Sequence, residues 1–148
     1  MTTTQYTTTE TAARVWIGIR ALVLDHHDRR KEVCEALGMS FIRVKALRVI
    51  AQAPTTLRQI AARLATDPPY VTIVVDDLER RGLVRREANP ADRRSKIVTA
   101  TADGAAAAAV ASGILNQPPA SVLHLDPDEL SAIDRVVAKL LDAPPATP

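Results

Sequence analysis

The side chains of this chain best suited to chemistry are its arginines, and they are clustered. Residues 80–96 hold seven bases (Arg80, Arg81, Arg85, Arg86, Arg93, Arg94 and Lys96) against two acids, Glu87 and Asp92. From residue 97 onward two bases face six acids. The whole chain of 148 residues has a formal net charge of only +2, so the distribution says more than the sum. A positive segment beside an acidic C-terminal part suits attraction to a polyanion rather than bond-making. A solvated hairpin with surface arginines is the plainer reading of such a run, and the neighbouring sequence has to decide between them.

Other chemistries find little support. With five glycines there is no phosphate-cradling loop, no Gly-x-Ser-x-Gly and no histidine-metal motif. His26, His27 and His124 are scattered, which favours structural or surface roles over a metal site. Cys34 is the single cysteine, which excludes an intramolecular disulfide and a Cys-rich zinc site. It would serve as a redox sensor only if Arg29, Arg30 and Lys31 lowered its pKa, and an inert thiol is the default. The expectation is therefore no enzyme, no metal and no resident cofactor. Met1 to Glu10 is Thr-rich and lacks the apolar stretch of a signal peptide. Ala105 to Ala111 is too short for the roughly 20 residues that span a bilayer. A soluble, cytoplasmic protein without a membrane partner is expected. Aromatics make up 3% of the chain, so its core must be built from Ala, Val, Leu and Ile.

The elements that would position the basic segment can be read from periodicity and end signals. Ala12, Trp16, Ile19, Val23 and His26 recur at helical spacing, predicting an amphipathic helix over about 10–31. Gly38 followed by Ser40 reads as a stop and a new N-cap, opening a helix through about Ala53 that Pro54 ends. Thr56 and Gln59 form a capping box for a short helix to about Ala65. Asp67-Pro68 opens another, over about 68–81. It buries Val71, Val74, Val75 and Leu78 and turns Tyr70, Thr72, Ile73, Asp76, Asp77 and Arg80 outward; a rotated face that places Ile73 in the core is the alternative. Gly82 closes it. Two β-capable runs, 83–87 and 96–100, flank the turn signal Asn89-Pro90 as a hairpin. Thr101 caps a helix to about Asn116, broken by Pro118-Pro119. Asp126-Pro127-Asp128-Glu129 starts a last one, with Leu130, Ile133, Val137 and Leu140 as its apolar face. The fold class is mainly α with a small β-hairpin (α+β): two short helices joined by a tight turn, then a basic hairpin, describe a winged helix-turn-helix.

From Leu57 to Gly104 the chain resembles the MarR family of bacterial transcription regulators. The resemblance is carried by Leu57-Arg58-Gln59-Ile60-Ala61-Ala62-Arg63-Leu64, by Val71 to Val84 with its Leu78-Glu79-Arg80-Arg81-Gly82-Leu83-Val84 ending, by Asp92-Arg93-Arg94-Ser95-Lys96-Ile97-Val98-Thr99, and by Thr101 and Gly104. It implies a homodimer that binds double-stranded DNA. The implied organisation is a disordered tail (1–9), an N-terminal dimerisation helix (10–37), a winged lobe (38–100, recognition helix about 68–81, wing about 83–100), C-terminal dimerisation helices (101–142) and a second tail (143–148). It also implies a pseudo-palindromic operator, repression, and a small aromatic or phenolic effector.

The resemblance makes the helix over about 68–81 the recognition helix, and side-chain chemistry suggests roles on it and around it. Tyr70 and Thr72 can hydrogen-bond bases or phosphates in the major groove, and Ile73 could pack on a thymine methyl. Arg58, Arg63, Arg80 and Arg81 are candidate phosphate anchors. Asp92 would fix the wing loop through a neighbouring arginine, Arg94 would enter the minor groove, and Arg93 and Lys96 would touch phosphates. Trp16 reads as core or interface, or else as the wall of an effector pocket with Arg20, His26 or His27 as the polar handle. Two positions depart from the family pattern: Ile73 stands where arginine is common, and Asp77 where a basic residue is common. An acidic pair, Asp76-Asp77, on a groove-facing helix would repel phosphates unless Arg80 and Arg81 offset it. That leaves open a second reading, a winged-helix interaction module that has lost DNA reading.

Overall fold

Thr7 opens the first helix of the computed structural model, which describes residues 7–143. Its hydroxyl accepts from the Glu10 N–H at 3.2 Å while the Glu10 carboxylate takes the Thr7 N–H at 2.8 Å. This reciprocal box starts α1 (Thr8–Ala21) inside what the composition alone marks as a tail over 1–9. Residues 1–6 of that tail, and 144–148 of the C-terminal one, lie outside the described residues. The helix expected over 10–31 is also not continuous. It widens into a π-helical turn at Leu22–His26 and ends at His27 (φ −129°, ψ 38°). A separate helix, α2 (Arg30–Leu37), follows. The break has a local cause: Asp28 accepts from the Arg30 N–H at 2.8 Å and from its guanidinium at 2.6 Å, so a new helix start competes with continuation.

Gly38 ends α2 in the left-handed region at φ 60°, as its position predicted. Ser40 takes the N-cap place of α3 (Phe41–Gln52), but its hydroxyl makes no cap bond and instead accepts from Arg43 at 2.8 Å. Thr55–Thr56 then form a short strand, β1, before α4 (Leu57–Leu64) and α5 (Pro68–Arg80). The wing strands are β2 (Val84–Ala88) and β3 (Lys96–Ala100), and the helix after them is α6 (Ala102–Leu115). The hairpin expected as two strands is thus a three-stranded antiparallel sheet in the order β1-β3-β2, with Thr55 opposite Val98 and Arg86 opposite Val98 on the other side. A two-residue strand has no periodicity to detect. Thr56 still caps α4, accepting from Gln59 N–H at 3.3 Å.

The core of this first unit lies where α3, α4, α5 and α6 meet the sheet, enclosing Leu47, Ile50, Ile60, Val71, Leu78 and Val98 completely. No aromatic ring is among its fully buried side chains. Thr101 couples the wing to α6. Its N–H donates to Leu83 O at 3.0 Å, its hydroxyl donates to Gly82 O at 2.7 Å and accepts from Gly104 N–H at 3.1 Å. Gly104 packs so closely on the wing that a Cβ there would lie 1.8 Å from Leu83 O.

The chain divides after Asn116. In the second unit a single-turn helix that the periodicity did not predict, α7 (Ala120–Leu123), precedes α8 (Pro127–Asp142). Asp126 and Glu129 cap α8 reciprocally at 2.9 and 3.0 Å, at the helix start that Asp126-Pro127-Asp128-Glu129 predicted. Neither α1 nor α8 contains a buried residue, and both leave large apolar side chains open, Trp16 and Ile17 on one and Ile133 and Leu140 on the other. No described helix is long and apolar enough to cross a membrane.

Candidate nucleic-acid interface

The helix-turn-helix is set by its two caps. Ala65 ends α4 in the left-handed region at φ 49°, which turns the chain within two residues. Asp67 then accepts from Tyr70 N–H at 2.8 Å, and Pro68 occupies the first helical position of α5. With Val71, Val74, Val75 and Leu78 buried, α5 has one orientation, and its outer face carries Pro69, Tyr70, Thr72, Ile73 and Asp76. Ile73 is 58% exposed, so the rotated alternative that buries it does not hold. The Thr72 hydroxyl donates back to Pro68 O at 3.1 Å.

Asp77 corrects the expectation that it faces outward. It is 8% exposed and sits under three guanidinium groups, receiving Arg43 at 2.7 Å, Arg81 at 2.8 Å and Arg80 at 3.0 Å. Hydrogen bonds from Arg81 and Arg43, with their charges, hold its carboxyl below the ordinary carboxylate range. Arg81 also donates to Gly38 O at 3.1 Å, so the cluster ties the base of α5 to the α2–α3 turn. Asp76 is likewise engaged: Arg86 of β2 bridges it to Glu79. The repulsion expected from an acidic pair is thereby neutralised within the lobe.

The wing loop is braced by Asn89 and Ser95, which the charge pattern did not single out, and by Asp92, which was expected to fix it. Asn89 donates to the Ser95 hydroxyl at 2.8 Å and accepts from Ala91 N–H at 3.0 Å. Asp92 accepts from the Arg94 backbone N–H at 3.0 Å, and the Ser95 N–H donates to Asp92 O at 3.0 Å. Asp92 therefore orders the loop through the Arg94 main chain and leaves that guanidinium unspent. Asn-Pro and Asp-x-Arg-Ser were visible as a turn; the individual bonds depend on how the two strands pair.

Between α4, the start of α5 and the wing lies an open groove of about 740 Å³, lined among others by Arg58, Pro69, Thr72, Asp92, Arg94 and Lys96. Arg58, Arg93, Arg94 and Lys96 are exposed, and none has an ion-pair or hydrogen-bond partner for its side chain among the described residues. The other candidate anchors are committed. Arg80 and Arg81 hold Asp77, and Arg63 donates to Gln52 at 2.7 Å beside a separate hollow lined by Pro54 and Thr55. The geometry brings Arg58, Thr72, Asp92, Arg94 and Lys96 to one concave face and leaves Arg63 off it. A rigid loop with free cations opposite a helix end can hold a phosphate chain.

Of the effector candidates, Trp16 and Arg20 share a shallow hollow of about 340 Å³ with Ile19, Val23 and Leu24. His26 and His27 close the π-helical turn and do not line it. No three metal-ligating side chains converge among the described residues.

Known proteins agree with this geometry. Residues 37–95 match the MarR family model. The fold aligns with wild-type MarR of E. coli in its apo form at TM-score 0.67 and 26% identity, covering 83% of this chain and 94% of that one. A cysteine-to-serine mutant of that MarR, complexed with operator DNA, aligns at 0.64 and 23% over 92% and 99%. YusO of Bacillus subtilis aligns at 0.69 and 22% over 94% and 100%, and NadR in complex with 4-hydroxyphenylacetate at 0.63 and 14% over 97% and 99%. Lobe, wing and family match agree: residues 37–95 are similar to the MarR family, and the fold is the winged helix-turn-helix of these solved structures.

Proposed function

We propose that this protein is a sequence-specific DNA-binding regulator that acts as a homodimer in the cytoplasm and represses transcription from a pseudo-palindromic operator. The observation that carries the reading is the groove between α5 and the wing, in and beside which four cations stand free while the acids Asp76 and Asp77 are tied down. Arg58, Arg93 and Lys96 would follow phosphates, Arg94 would reach the narrow, negative minor groove, and α5 would lie in the major groove. Unpaired apolar faces on α1 and on α8 support pairing with a second copy, and the operator complex of a MarR mutant supports DNA as the ligand. The interaction-module reading was motivated by Asp76 and Asp77 and by Ile73 standing where arginine is common; the internal pairing of the two acids removes the first motive, and the second still stands.

The test is fluorescence anisotropy on labelled duplex from the gene's own upstream region beside a scrambled duplex of equal length. Specific complexes exceed non-specific ones by about 10³ or more at physiological salt. A preference of that order is expected; equal, weak binding to both, repeated across a genome-wide selection, would sink the proposal.

A small aromatic or phenolic acid is the proposed effector class. Trp16 with Arg20 offers an apolar wall beside a cation, and NadR is known with 4-hydroxyphenylacetate. Such a ligand changes DNA binding only if it prefers one arrangement of the two lobes. Titration of phenolic acids against the protein–operator complex should release DNA; no release across the panel would end this part of the reading.

A further inference from the structure

The outer face of α5 lacks the side chains that read purines by hydrogen bonds. Arginine or lysine pairs with guanine O6 and N7, and asparagine or glutamine with adenine N6 and N7. This helix contains no amide side chain, and its one base, Arg80, stands in the last turn and is salt-bridged to Asp77. The Thr72 hydroxyl proton is committed to Pro68 O. Apart from the Tyr70 hydroxyl, what the face offers is apolar: Ile73 is 58% exposed and Tyr70, with its ring, 41%. Pro69 and Tyr70 precede Ile73 by four and three residues, the spacing that sets helical side chains side by side. Arg58, Arg94 and Lys96 line the adjoining groove together with Pro69. An apolar patch flanked by free cations complements a major-groove floor with thymine C5-methyl groups between rows of phosphates.

Resting on the proposed function, we infer that α5 reads its half-site through thymine methyl groups packed against Ile73 and Tyr70, without a guanine contact from the helix. The bases under α5 are then thymine-rich. Affinity comes from the sequence-independent cations, and discrimination is spread over several small methyl contacts in place of one bidentate hydrogen bond.

The experiment uses the full chain to select from a random duplex pool. Each thymine of the preferred sequence is then replaced in turn by deoxyuridine, which keeps every pairing and hydrogen-bonding group and removes only the methyl. Loss of one buried methyl contact should weaken binding roughly fourfold, at the positions beneath α5. Ile73→Ala should lose a similar factor on the thymine duplex and little more on the deoxyuridine duplex; Ile73→Arg should move the selected base toward guanine. Because Ile73 is exposed, these variants keep the wild-type circular dichroism and melting. Deoxyuridine substitutions that all leave affinity within about twofold, or an Ile73→Ala variant that binds the thymine duplex as wild type does, overturn the inference while the proposed function stands. A pool that yields no preferred sequence overturns both.

Discussion

Asp77 is the residue on which most of the lobe's electrostatics turn. Three guanidinium groups converge on one carboxylate, and the hydrogen bonds from Arg81 and Arg43 outweigh the cost of its burial, so the charged form is favoured. Because its folded pKa is depressed, the stability it contributes is present above the ordinary aspartate pKa of about 4 and is lost as the pH falls through the lower folded value. Asp77→Asn should therefore melt lower than wild type at pH 7, and urea titrations should show the gap closing as the pH drops below about 4; a gap independent of pH would contradict the assignment. A different constraint acts at Gly104, where a Cβ would meet the Leu83 carbonyl at 1.8 Å. Backbone on both sides cannot yield cheaply, so Gly104→Ala should cost at least about 2 kcal/mol by denaturant unfolding. The glycine was visible in the sequence as part of the family motif. The burial of Asp77 was not, because helical periodicity marks 71, 74, 75 and 78 and is silent about Arg43, a partner 34 residues away.

At the scale of elements, the ends of helices were legible wherever a side chain closes them locally. Thr56 with Gln59, Asp67 with Pro68, Thr101 with Gly104 and Asp126 with Glu129 all appear where the spacing places them. What escaped depends on distant pairing or on small departures within a helix: β1 exists only because Thr55 and Thr56 meet β3, and the π-helical turn leaves the hydrophobic pattern of α1 intact. Ala65 holds the helix-turn-helix bend in a conformation that suits glycine. Ala65→Gly should raise stability by about 0.5–1 kcal/mol without changing DNA binding, as read by thermal melting and anisotropy. The wing offers a test of sign. Asp92 is an acid beside the free cations, so on charge alone its removal should favour DNA; as the acceptor that holds the Arg94 N–H it should do the reverse. Asp92→Ala should bind duplex more weakly than wild type, and Asp92→Asn, which keeps the acceptor and sheds the charge, should bind at least as tightly as wild type. Tighter binding by Asp92→Ala would remove the loop from the account.

For the molecule as a whole, the segregation of charge matters more than its sum of +2. Arg94 and Lys96 of the basic stretch join Arg58 of α4 on one concave face, while Asp76 and Asp77 are paired within the lobe by other arginines of the same stretch. The proposed pairing of two copies rests on the opposite property, apolar faces that one chain leaves open on α1 and on α8. Sedimentation should give twice the 16.0 kDa chain mass, and Ile133→Asp should shift it toward monomer; an unshifted dimer would place the pairing elsewhere. Composition and the basic run were enough to point at a polyanion, while the sorting of free from committed arginines needed the fold, since both kinds stand in the same seventeen-residue stretch. If free cations of the wing and α4 neutralise DNA phosphates, duplex affinity measured over a salt series must differ between wild type and Arg94→Ala. Each neutralised phosphate contributes about 0.9 to the slope of log affinity against log salt. Wild type should show a steep slope and the variant one shallower by about one unit; slopes and affinities that coincide would mean that Arg94 neutralises no phosphate.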